Sequence, residues 1–195
     1  MRTASIIINI IIFICTLIVI LSYFRKDGKW QMESGRIMFR FFTVLSNTFC
    51  AVTALMMAVS QISGTVSPFV LEMKYLGTVS VTVTFVTVFL FLIPFQGGVK
   101  KWLTGGNIYM HLIGPLLAIF SFIFLEKQKM TFGTAMTGLL PMLLYGAVYL
   151  YKVMFAPEGK RWEDVYGFNR EGKWPIACVA MTILATLICI FFWLV

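Results

Sequence analysis

The single histidine of the chain, His111, stands in a run of otherwise apolar residues, with Asn107 four positions before it and Pro115 four positions after it. A second polar group interrupts another oily run as Phe41-Phe42-Thr43-Val44-Leu45-Ser46-Asn47. Thr43 and Asn47 are four residues apart and share one face of a helix. A threonine hydroxyl is a poor nucleophile until a neighbouring base takes its proton, and imidazole is the side chain whose ordinary pKa suits that task near neutrality. Thr43 and His111 together therefore hold the elements of nucleophilic acyl transfer. Asn47, Asn107, Ser46 or a backbone N–H are candidates to donate toward an oxyanion, and Asn107 also to orient the imidazole. Pro115 lacks an N–H, so it frees a carbonyl one turn back, expected at His111 itself, and bends the helix there.

The elements that must carry these residues follow from composition. Of 195 residues, 59% are apolar and 12% charged, against roughly 25% charged in soluble proteins. Mean hydropathy is +0.89. A soluble fold of this length leaves too much surface exposed to hide so many apolar side chains, which excludes a soluble enzyme, a disulfide scaffold and a disordered tail. Six stretches approach the roughly 20 residues that a helix needs to cross a hydrocarbon core: 4–24, 38–60, 75–95, 107–125, 132–151 and 175–195. No alternating pattern of a membrane barrel is present, so the spans are expected to be helices. The expected fold is all-α, one polytopic six-helix domain over residues 1–195. The first span, closed by Tyr23-Phe24 and Arg25-Lys26, is expected to be a retained helix rather than a cleaved signal.

Charge gives the expected orientation. Of 16 Lys and Arg, the loops after helices one, three and five hold Arg25, Lys26, Lys29, Arg36, Arg40, Lys100, Lys101, Lys152, Lys160, Arg161, Arg170 and Lys173. The other side holds Arg2, Lys74, Lys127 and Lys129. That bias places the basic side in the cytoplasm and both termini outside, in the cell membrane. The net charge of +8 then reads as topology and headgroup contact rather than nucleic-acid binding. Cys15, Cys50, Cys178 and Cys189 all fall in spans and form no ligand spacing, so neither a metal site nor a cofactor is expected. The loop from Met154 to Trp174, rich in aromatics, is expected to lie at the membrane interface or, alternatively, to cover a cavity opening on the cytoplasmic side.

Helices two and four both leave the basic side, which puts Thr43 and His111 at one depth, roughly 6–9 Å past the start of their helices. Hydroxyls in membrane helices ordinarily bond back to a carbonyl one turn earlier, as expected for Thr78, Ser80, Thr82, Thr84 and Thr87.

These clusters carry a resemblance. The Phe-Phe-Thr-x-x-Ser-Asn opening of helix two and the Asn-x3-His element of helix four, followed by Pro115 and Glu126, resemble the androgen-induced protein and androgen-dependent tissue factor pathway inhibitor-regulating protein family and its bacterial relatives. The likeness extends over most of the chain as six helices. Animal members of that family are threonine hydrolases of fatty acid esters of hydroxy fatty acids. The resemblance implies that Thr43 is the nucleophile and His111 its base. The chain departs from the family in the spacing of Pro115 from His111 and in the late loop, which reads Val165-Tyr166-Gly167-Phe168 with Trp-Pro only at Trp174-Pro175.

The expected function is intramembrane cleavage of a lipid ester, with membrane lipids and the ester as partners, no nucleic acid, and oligomeric state open. The alternatives are a transporter that titrates His111 and a scaffold in which Gly77, Gly114, Gly133 and Gly146 allow close helix packing.

Overall fold

A computed structural model describes residues 1–126 and 129–195. Its helices are α1 (Arg2–Tyr23), α2 (Met32–Met38), α3 (Phe42–Ser63), α4 (Pro68–Phe95), α5 (Gly98–Trp102), α6 (Gly106–Glu126), α7 (Phe132–Phe155) and α8 (Trp174–Leu194). A two-residue antiparallel hairpin, β1 (Arg25–Lys26) and β2 (Lys29–Trp30), links α1 to α2. Among the described residues, six helices are long and apolar enough to cross a membrane: α1, α3, α4, α6, α7 and α8. The chain is an all-α, multi-pass membrane protein. It divides into two compact units, Met1–Lys129 and Met130–Val195.

The first unit is built inside out. On α1 the buried residues are Ser5, Asn9, Ile12 and Thr16, one helical stripe in which three of four members are polar. Ile7, Ile14 and Ile18 point outward, as they must where the solvent is hydrocarbon. The helices pack around an apolar middle layer of Ile12, Cys50, Ala54, Val81 and Ala118. At Gly77 on α4 an added Cβ would lie 2.4 Å from the Thr53 hydroxyl and 3.0 Å from the Cys50 Cα, so glycine is what lets α3 and α4 approach. Of the back-bonds expected on α4, those of Thr78 to Lys74, Ser80 to Leu76, Thr82 to Thr78 and Thr84 to Ser80 are present.

Three boundaries differ from the sequence reading by four residues or more, one of them the end of helix five, which runs to Phe155 rather than to residue 151 and takes in Met154 and Phe155 from the expected loop. Helix three starts at Pro68, with the Ser67 hydroxyl accepting from the Val70 N–H at 3.3 Å, because Lys74 is not a membrane-end cation. It is fully buried, 3.8 Å from the Glu126 carboxylate at the far end of α6. The Lys74 Nζ donates to Asn9 Oδ1 at 2.6 Å, and the Ser5 and Ser121 hydroxyls each donate to Glu126 Oε1 at 2.6 Å, joined there by the Asn9 amide. Helix two starts at Phe42, not at residue 38, which makes Thr43 the second residue of α3. Lys127, assigned to the less basic side, lies outside the described residues.

The second unit is a helical hairpin. The Thr131 hydroxyl caps α7 by accepting from the Thr134 N–H at 3.1 Å, and Phe132 meets Trp193 of α8 edge to face at 5.3 Å. The connecting loop is tied down by Asp164. Its carboxylate accepts from the Phe168 and Asn169 N–H groups at 2.8 and 2.7 Å and from the Tyr149 hydroxyl at 3.0 Å.

Breaking a buried ion pair from one side leaves an uncompensated charge, at a cost of about 3–5 kcal/mol, whereas replacing both partners by apolar groups costs far less. Glu126→Gln is expected to lower unfolding stability in detergent by that amount. The double variant Lys74→Met/Glu126→Leu is expected to lose less than Glu126→Gln alone. Losses that simply add would contradict the coupling.

Candidate active site

Thr43 and His111 meet at the end of the first unit opposite the Lys74–Glu126 pair. The Thr43 hydroxyl lies 3.3 Å from His111 Nε2. This is a long hydrogen bond, as nucleophile and base commonly show before substrate tightens them. His111 is buried and Thr43 half-buried, so the hydroxyl is the more reachable of the two.

The imidazole is oriented by the main chain. His111 Nδ1 lies 2.7 Å from the Trp102 carbonyl oxygen. A carbonyl can only accept, so Nδ1 carries the proton and Nε2 presents its lone pair to the Thr43 hydroxyl. Trp102 is positioned for this by α5, the short helix between α4 and α6. Its indole N–H donates to the Gln96 carbonyl at 3.2 Å, and its ring packs 6.0 Å from the imidazole, centroid to centroid. The chain returns from α5 into α6 through Gly105 at φ 59°, ψ −135°, a backbone state closed to residues with a Cβ. In the sequence Trp102 carried no signal for this role, because the group that acts is its backbone oxygen.

The helix that bears His111 is irregular at the histidine itself. Residues Tyr109–Ile113 form a π turn, and the Gly114 N–H reaches back five residues to the Tyr109 carbonyl. Such turns recur at functional sites. The Met110 carbonyl therefore loses its α-helical donor, Gly114. Its donor in the wider register would be residue 115, which is proline and has none. The sequence expectation concerns the carbonyl of His111, four residues before Pro115. The side-chain-satisfied acceptor is one residue earlier, at Met110, because the wider turn shifts the register by one.

The remaining candidates fall into different places. The Asn47 amide donates to the Met110 carbonyl at 3.0 Å and to the Thr43 carbonyl at 2.8 Å, so both of its donors are engaged within the protein. Ser46 points to α4, with its hydroxyl 2.8 Å from that of Thr84 and 3.1 Å from the Thr43 carbonyl. Asn107, at the start of α6, is half-buried and its side chain takes no hydrogen bond among the described residues. Thr43 lies in the first turn of α3, where backbone N–H groups lack intrahelical acceptors and the helix end is electropositive. Tyr109 braces this end of α6 on α1, its hydroxyl 3.0 Å from the Ile12 carbonyl and 3.2 Å from the Thr16 hydroxyl.

The geometry is that of a hydroxyl beside an oriented imidazole. Comparison with protein-family models, curated proteins and solved structures found no match. Among the described residues no group of three or more His, Cys, Asp or Glu converges as a metal site would require.

With one histidine in the chain, the imidazole can be observed without assignment. 15N-histidine labelling of the protein in detergent is expected to show a protonated Nδ1 and an unprotonated Nε2. The opposite pattern would remove the lone pair from Thr43.

Proposed function

We propose that the protein is an intramembrane ester hydrolase in which Thr43 is the nucleophile and His111 the general base. The observation that carries this reading is the hydrogen-bonded line from the Trp102 carbonyl through the Nδ1–H imidazole to the Thr43 hydroxyl. It has the logic of a triad, with a main-chain oxygen in the place of the acid.

In the proposed reaction Thr43 Oγ attacks the ester carbonyl while its proton passes to His111 Nε2. Collapse of the tetrahedral intermediate expels the alcohol, which takes that proton, and leaves an acyl-threonine. Water then attacks with His111 again as base, and the acid is released. Of the side-chain donors considered for the oxyanion, Asn107 is the one with its amide free, and the Thr43 N–H at the head of α3 is the backbone candidate. The apolar outer faces of the spans suit a lipid ester that enters from the bilayer. The resemblance to the androgen-induced protein family specifies that ester further, as a fatty acid ester of a hydroxy fatty acid. The same reading sets the basic loops in the cytoplasm and both termini outside, in the cell membrane.

The layering of the first unit supports hydrolysis over proton-linked transport. His111 and the Lys74–Glu126 pair are about 22 Å apart along α6 at roughly 1.5 Å per residue. Ile12, Cys50, Ala54, Val81 and Ala118 form an apolar layer between those ends. The hydroxyls of Thr78 and Thr82 in between are turned back on their own helix.

A fluorophosphonate probe tests the nucleophile, since displacement of its fluoride by an activated hydroxyl leaves a stable phosphonyl ester. Wild-type protein in detergent is expected to label and to cleave a lipid ester, and Thr43→Ala to do neither. His111→Ala is expected to lower the labelling rate by about 100- to 10,000-fold, the usual worth of a positioned general base. Undiminished labelling of Thr43→Ala would end the assignment.

A further inference from the structure

The carboxamide of Asn47 touches neither reactive group, yet it joins the two stretches of backbone from which they hang. One N–H reaches the carbonyl of Thr43, the nucleophile's own residue, and the other reaches the carbonyl of Met110, the residue directly before the base. We infer that Asn47 is a positioning residue that sets the separation of Thr43 and His111. This inference rests on the reading of that pair as nucleophile and base.

Three observations carry it. First, the acceptor on α6 belongs to the irregular turn itself, because the Gly114 N–H is spent on Tyr109 and Pro115 has none to give. An unpaired carbonyl in this dry setting is costly, so the π turn and the Asn47 amide stabilise each other. Second, Asn47 is buried and its oxygen faces Gly114, where an added Cβ would lie 3.3 Å from Asn47 Oδ1 and 3.1 Å from the Tyr109 carbonyl. The two helices are thus in contact at the carboxamide, and the span it bridges has little slack. Third, no neighbouring polar residue of α3 duplicates the link. Ser46 turns to Thr84 on α4, and Thr48 bonds back to the Val44 carbonyl of its own helix at 2.6 Å.

Side-chain chemistry restricts what can replace it. Serine at position 47 can bond back to the Thr43 carbonyl, as Thr48 does to Val44, but it is too short to span to α6. Aspartate has the right size and no donor, so it would set a carboxylate against two carbonyl oxygens. Both substitutions keep α3 helical while releasing the π turn, which lets the imidazole drift from the hydroxyl. A displacement of about 1 Å at a reacting pair is worth on the order of 100-fold in rate.

The test compares Asn47→Ser and Asn47→Ala with Thr53→Ala in the full-length protein in detergent. Thr53 is a buried residue of the same helix that bonds back to the Cys50 carbonyl, and it lies away from the pair. Ester turnover, fluorophosphonate labelling, thermal unfolding and the histidine 15N spectrum are read for each. Asn47→Ser and Asn47→Ala are expected to lose about 100-fold in kcat with KM within about twofold, and Thr53→Ala to stay near wild type in kcat. In Asn47→Ser the Nε2 resonance is expected to move downfield toward that of a free ring nitrogen, while Nδ1 is unchanged. Retained kcat in Asn47→Ser, an unmoved Nε2 resonance, or a loss in Thr53→Ala equal to that in Asn47→Ala would each overturn the inference. Should Asn47→Ala fail to fold, Asn47→Ser and the spectrum decide. Activity retained by Thr43→Ala is a separate outcome, and it removes the nucleophile assignment on which the inference stands.

Discussion

Inside hydrocarbon, a polar side chain can hydrogen-bond only to another part of the same protein, and the first unit is organised by that restriction. Its helices have little hydrophobic reason to associate, since lipid tails are as apolar as their own leucines and isoleucines. What they hold in common are polar contacts in two layers. At one end Ser5, Asn9, Lys74, Ser121 and Glu126 tie α1, α4 and α6 together. At the other, Tyr109 ties α6 to α1, Ser46 ties α3 to α4, and Asn47 ties α3 to α6. The middle is apolar and closely packed, with Gly77 seated against Thr53 and Cys50. Each layer gives a fixed frame, and the candidate site is part of one of them.

The two layers differ in what they leave reactive. In the first, a carboxylate and an ammonium face each other with hydroxyls and an amide around them, and both are sealed from the surface. In the second, the donors and acceptors are mostly neutral. The imidazole keeps a lone pair aimed at a hydroxyl that is itself half-exposed. The two networks are made of similar side chains, and the half-exposure of the Thr43 hydroxyl separates the second from the first.

The sequence was legible where apolar length decided the answer. Six long apolar runs gave six helices, and four-residue spacing put Thr43 and Asn47 on one face. Equal depth on two helices leaving the same side brought Thr43 to His111. It was less legible where charge misled. Lys74 resembles a membrane-end cation because its partner, Glu126, is 52 positions away in the chain, and that resemblance hides the Ser67-Pro68 start of α4. The polar stripe Ser5, Asn9, Thr16 was visible in principle as a helical repeat. It ran against the usual habit of looking for apolar periodicity, which an inside-out helix inverts. The π turn had a partial signal in Pro115. Its register did not, since whether a helix widens by one residue depends on a donor from α3.

The orienting carbonyl of Trp102 is a part of the site that no side chain supplies. A main-chain oxygen is present whatever residue stands at position 102, so this member of the site leaves no letter behind, although the Trp102 indole helps to hold it by donating to the Gln96 carbonyl. It can be lost only by moving the backbone that holds it, through α5 or the glycine turn at residue 105. Heredity therefore acts on this part of the site through the path of the chain, and two sequences with different residues at that position can carry the same orienting oxygen.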